Sequence, residues 1–99
     1  IIRSKAKPQL TPFEIVRSCF PGGSITGCPK LRAMEAIDDL EKRSRGIYTG
    51  SIGYFTGRGD FDLNIAIRTL VAQNGSFSLQ LGGGIVIDSH PESEYQETL

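Results

Sequence analysis

The sequence has a single histidine, only two cysteines, no net charge and no long apolar run, and each shortage removes a class of function. A Ser-His-Asp triad cannot be assembled around His90, which sits in a Ser-His-Pro-Glu helix start that suits a surface residue. Cys19 and Cys28 lie nine positions apart without Cys-x-x-Cys spacing. With one histidine to help them they make no zinc site, and they point to a reduced, cytoplasmic protein. Cys28 falls in a glycine-rich loop and reads as a small apolar filler rather than a reactive thiol. Eleven basic residues cancel eleven acidic ones, so no basic stripe invites nucleic acid and nothing draws the chain to an anionic membrane. No signal peptide or membrane span is present, and the chain opens Ile1-Ile2-Arg3. It ends two residues past Glu97, where a helix has barely begun, so residues 1–99 read as the C-terminal part of a single larger domain.

What the sequence does have is a legible order of elements. Residues 1–10 carry Arg3, Lys5, Lys7 and Pro8 and read as a loop. Thr11-Pro12-Phe13-Glu14 is a helix start with Thr11 as N-cap, Pro12 in the first helical position and Glu14 closing a capping box. That helix ends at Pro21, and a glycine-rich turn leads to a second helix from Pro29, with Leu31, Met34, Ile37 and Leu40 at helical spacing. The period then changes to two. Ile47–Phe55 reads as a strand weakened by Gly50 and Gly53, Thr56–Asp60 turns the chain, and Asn64–Gln73 reads as an unbroken strand. Asn74-Gly75 is a strong hairpin signal joining it to a strand from Ser76 to Ile87. Ser89 and Glu92 form a second capping-box pattern. Helices first and antiparallel strands after them argue an α+β fold.

The hairpin turn fixes a register. Gln73 faces Ser76, and counting back places Arg68 opposite Leu81 and Ile67 opposite Gly82. Arg68 would then lie beside Gly82-Gly83-Gly84, three residues that each cost a strand about 1 kcal/mol relative to alanine and so ask for a compensating reason. A guanidinium beside bare backbone amides makes a carboxylate pocket, to which Tyr48 could add its hydroxyl. The plainer readings are a solvated strand arginine and an amphipathic sheet tyrosine. Glu94 and Glu97, three apart, share a helix face at a repulsive cost of about 0.2–0.5 kcal/mol. They provide two carboxylates for magnesium, or simply a solvated acidic face. The Gly22–Lys30 loop has the four-residue glycine gap of a phosphate loop but follows it with Cys28-Pro29-Lys30 and is preceded by no strand.

Taken together, five segments resemble the C-terminal part of the chorismate-utilising enzymes. They are Phe20–Lys30 with Arg32–Glu35, Tyr48–Tyr54, Ile65–Thr69, Gly82–Val86 with Asp88-Ser89, and Glu94–Thr98. Pro21–Gly27 and Gly50–Tyr54 look most like the branch that aminates chorismate at ring position 4 toward para-aminobenzoate and folate. The anthranilate branch and the isochorismate or salicylate branch are the alternatives. The resemblance implies a larger α+β fold and a Mg2+-dependent enzyme taking ammonia from a glutamine amidotransferase partner. It also implies that Glu97 is a magnesium ligand and Glu94 a direct or water-mediated second one. Arg68 and Tyr48, with the amide of Gly84, would grip the enolpyruvyl carboxylate, and Gly82 and Ser24 would line the ring pocket. The family's other metal glutamate, its acid/base glutamate and the nucleophilic lysine of the para-aminobenzoate branch would lie upstream, so the resemblance places no catalytic residue in this stretch, Lys30 included, and implies that it is inactive alone. A rival of another class is a non-catalytic carboxylate-binding module, or one that self-associates through uncovered sheet edges.

Overall fold

The sheets are two separate two-stranded ribbons, and the place where they part is set by one arginine. The computed structural model describes residues 1–99. In order, the elements are α1 (Pro12–Cys19), α2 (Gly23–Thr26), α3 (Lys30–Glu41), β1 (Ser51–Phe55), β2 (Phe61–Ile65), β3 (Leu70–Gln73), β4 (Ser76–Leu79) and α4 (Pro91–Glu97). Strand β1 pairs antiparallel with β2, and β3 with β4, giving the α+β class the sequence implied.

The local signals act as their chemistry dictates at α1. The Glu14 amide donates to Thr11 Oγ1 at 3.3 Å and the Thr11 amide donates to Glu14 Oε2 at 2.8 Å, closing the box. The Thr11 amide and hydroxyl, both donating to Glu14 Oε2 at 2.8 Å, hold that carboxyl below its ordinary range. The glycine-rich turn after α1 contains a single helical turn, α2, and α3 follows with Pro29 as its N-cap. Asn74 and Gly75 both take positive φ, 51° and 75°, as a two-residue hairpin turn requires, and Gln73 pairs with Ser76 as the register count demands.

Four expectations do not hold. The expected strand over Asn64–Gln73 breaks at 66–69, because Arg68 adopts φ 52°, a left-handed conformation incompatible with a strand. The β3–β4 ladder therefore stops at Leu70 opposite Leu79, and the register cannot be carried back to Arg68 and Leu81. The expected strand over Ile47–Phe55 starts only at Ser51, since residues 46–49 form a turn in which Thr49 also has positive φ, 62°. Ser89 does not cap α4. His90 is the N-cap, and the Ser89 hydroxyl accepts instead from the Val86 amide at 3.0 Å. Residues 80–90, expected to continue the strand as far as Ile87, are irregular.

Very little of the apolar surface is covered. Ala66, 1% exposed, is the one buried residue, while Leu31, Leu40 and Phe77 are 73%, 82% and 74% exposed. The accessible area is 9018 Å2, against about 5,500 Å2 for a folded monomer of this mass. The radius of gyration is 16.3 Å, against about 13 Å for a compact domain of this length. The α3 stripe of Leu31, Met34 and Leu40 thus faces no partner. What packing exists is local. Phe13 of α1 stacks on Phe55 at 4.8 Å, and Phe55 stacks on Phe61 at 5.3 Å, pinning α1 to the first ribbon. No helix is long and apolar enough to cross a membrane.

Candidate functional site

Tyr48 owes its position to the turn that replaced the expected strand. Its amide donates to the Arg45 carbonyl at 3.0 Å, and the Gly50 amide donates to the Ile47 carbonyl at 2.9 Å. The next residue, Thr49, is tied to buried Ala66. The Thr49 amide donates to the Ala66 carbonyl and the Ala66 amide to the Gly50 carbonyl, both at 2.9 Å. A β-branched residue in the left-handed region is strained by about 1–3 kcal/mol, so these ties hold a conformation that the free chain avoids.

Arg45, beyond the end of α3, braces the same turn against that helix's last residue. Its Nε donates to Glu41 Oε2 at 2.8 Å, its Nη2 pairs with Glu41 Oε1, and its Nη1 donates to Thr49 Oγ1 at 3.2 Å. Its guanidinium carbon stands 5.4 Å from the centre of the Tyr48 ring, within cation–π range. The hydrogen bonds from Arg45 lower the Glu41 carboxyl below its ordinary value, and the same bonds raise the guanidinium further. Arg45 lies past the left-handed Lys42 that ends α3, so the Glu41–Arg45 pair ties the helix end to the turn rather than spanning one helix face.

The Tyr48 hydroxyl reaches the glycine run. A Cβ added to Gly82 would lie 2.8 Å from Tyr48 Oη, so the tyrosine occupies space that only glycine leaves free. One residue on, a Cβ at Gly83 would lie 3.1 Å from Glu94 Oε2. A Cβ at Gly84 would meet no other part of the protein within 4 Å. A phenol and a carboxylate thus meet neighbouring glycines, and the third glycine keeps open space beside it.

The other expected residues are placed less closely. Arg68 is exposed and joins no ion pair; it sits at the bend between the two ribbons rather than in a ladder beside the glycines. Ser24 is exposed in α2. Glu97 lies three residues after Glu94 on α4 and shares its face. No hydrogen bond ties Arg68 to Tyr48 or to Glu94. A cleft of about 360 Å3 beside Tyr48 is lined by Arg45, Thr69, Val71, Gln73 and Ser78 among others, and the glycine run lies outside it.

For a divalent metal, the donors are the carboxylates of Glu94 and Glu97. No group of three or more His, Cys, Asp or Glu gathers anywhere in the structure. Magnesium takes one or two protein carboxylates and completes its octahedron with substrate oxygens and water, so two hard oxygen donors on one helix face fit it. The reach of Glu94 to Gly83 keeps one of them beside the glycine run.

Comparison with known proteins shows the family. The family model described as chorismate binding enzyme matches residues 1–99. The chain is 52% identical over 98 residues to the chloroplastic aminodeoxychorismate synthase of Arabidopsis thaliana, covering 99% of this chain and 11% of that one. It is 53% identical over 97 residues to aminodeoxychorismate synthase component 1 of Escherichia coli, covering 98% and 21%. Anthranilate synthase component 1 of Pseudomonas putida is 45% identical over 98 residues, covering 99% and 20%. The chain therefore spans about a fifth or less of the length of these relatives.

Proposed function

Since the chain belongs to the chorismate binding enzyme family, we propose that it forms the C-terminal part of a magnesium-dependent catalytic domain converting chorismate to 4-amino-4-deoxychorismate. The ammonia would come from glutamine through an amidotransferase partner, and the setting is a reducing compartment such as the cytoplasm. The carrying observation is the approach of the Tyr48 hydroxyl to Gly82 beside that of the Glu94 carboxylate to Gly83. It brings a neutral hydrogen-bond donor and a hard anionic donor to adjacent points of one open backbone, as a ligand bearing two carboxylates requires.

In this reading Tyr48, Arg68 and the Gly84 amide hold the enolpyruvyl carboxylate by charge-assisted hydrogen bonds. Gly82 and Ser24 flank the ring. Glu94 and Glu97 hold magnesium, which when bound supplies positive charge for the ring carboxylate. The protein's own part is orientation: fixing both ends of chorismate leaves one face of the ring toward the groups that perform the exchange. Those groups belong to the remainder of the domain. The exposed apolar faces of α3 and of both ribbons support the view that more protein covers them.

The test is to incubate the longer protein carrying these residues with chorismate, magnesium and ammonium, and to separate the products. The expected product is 4-amino-4-deoxychorismate. Anthranilate would assign the chain to the position-2 branch, whose Pseudomonas putida relative is less similar, at 45% identity, than the two aminodeoxychorismate synthases. Residues 1–99 alone should yield no product, and turnover by them would overturn the partial-domain reading.

A further inference from the structure

We propose that Glu41 and Arg45 are positioning residues for Tyr48, setting its hydroxyl over Gly82 without touching substrate; this rests on the reading above, in which Tyr48 holds a carboxylate. Three observations converge on it. Arg45 is bound through two nitrogens to Glu41 at the last residue of α3, so its guanidinium plane is fixed to the helix. Its guanidinium carbon stands 5.4 Å from the Tyr48 ring centre, and its third nitrogen donates to the Thr49 hydroxyl at 3.2 Å. Thr49, at φ 62°, then carries the backbone from Tyr48 to the buried Ala66.

The ring is thus steadied through its face and through the backbone on its C-terminal side, while its oxygen lies where a Gly82 Cβ would clash. An aromatic side chain has two main torsions. Fixing the backbone and one face removes most of the freedom that carboxylate binding would otherwise have to remove. A lysine at position 45 would keep the charge but lose the planar fork that engages Glu41 and Thr49 together. The arginine is required for its shape.

The experiment is a double-mutant cycle in the longer protein, with Arg45→Met and Arg45→Lys each made alone and with Tyr48→Phe. A positioning role predicts that Arg45→Met raises KM for chorismate about tenfold with little change in kcat, and by less than about twofold once the Tyr48 hydroxyl is gone. Arg45→Lys should not rescue. Glu41→Gln, which keeps volume and one acceptor, should give a smaller effect in the same direction. In parallel, fluorotyrosine at position 48, assigned by its loss in Tyr48→Phe, should show a shifted or broadened fluorine resonance in Arg45→Met without any ligand. Equal KM effects in both tyrosine backgrounds, or an unmoved resonance, would overturn the proposal. A wild-type protein that neither binds nor converts chorismate would instead defeat the functional reading, and the fluorine signal would still judge the brace.

Discussion

Two side chains come to adjacent glycines from segments built in opposite ways. Tyr48 rides on a strained turn tied to α3 by Arg45 and to buried Ala66 by backbone hydrogen bonds. Glu94 rides on a seven-residue helix whose N-cap, His90, makes no side-chain cap bond. One group is held before any ligand arrives; the other is a flexible carboxylate free to adjust. The division suits their proposed partners, since an organic carboxylate demands a set direction whereas a cation accepts oxygen ligands that swing into place.

The sharpest way to break this contrast is to put the same methyl group at each glycine. Gly82→Ala forces its Cβ to 2.8 Å from the braced Tyr48 oxygen. Chorismate affinity should fall about tenfold or more, roughly 1.4 kcal/mol, by calorimetry on the longer protein. Gly83→Ala meets Glu94 at 3.1 Å, at the tip of a side chain that can move aside. Its cost should be nearer threefold and appear in the magnesium requirement, and Gly84→Ala, with open space beside it, should cost less than about twofold. Equal losses at 82 and 83 would show that Tyr48 is no more rigid than Glu94.

Acid provides a gentler cut. The Glu41 carboxyl is lowered from its ordinary 4.5 by the hydrogen bonds from Arg45. The support this pair gives the turn is complete above that ordinary value and is lost as pH falls through the lowered one. Amide protection at Tyr48 and Gly50, measured by hydrogen exchange, should drop over that acidic range ahead of protection in the β3–β4 hairpin. The smallest expected effect is at α4. Pro91→Ala should let the helix start one residue earlier, protecting the Glu92 amide and releasing that of Val86, with stability changing by less than about 1 kcal/mol.

That last variant also explains how much the sequence made legible. Thr11-Pro12-Phe13-Glu14 and Ser89-His90-Pro91-Glu92 carry the same capping pattern, yet only the first forms a box. The residue before a proline is pushed into extended backbone, so Thr11 is placed as a cap by Pro12, whereas Pro91 forces that role on His90 and shifts Ser89 and Glu92 out of register. The Asn74-Gly75 turn was readable because turn chemistry fixes its nearest pairs. The count failed farther out, where Arg68 and Thr49 adopt left-handed conformations that no propensity favours. The family could be read from the five motifs and α+β from the order of elements, while the Glu41 and Arg45 brace could not, because it joins the end of α3 to a turn beyond the left-handed Lys42. Both strained residues flank Ala66, which places the unreadable part of the fold beside the proposed carboxylate grip.

The solitary burial of Ala66 has a thermodynamic corollary. Heat capacity and cooperativity both scale with apolar area withdrawn from water. Residues 1–99 on their own should therefore melt gradually, ribbon by ribbon, with scarcely any calorimetric step. Whatever sharp transition the longer protein displays belongs to the union of this stretch with its neighbours, and a substitution here will be felt as a weakening of that union.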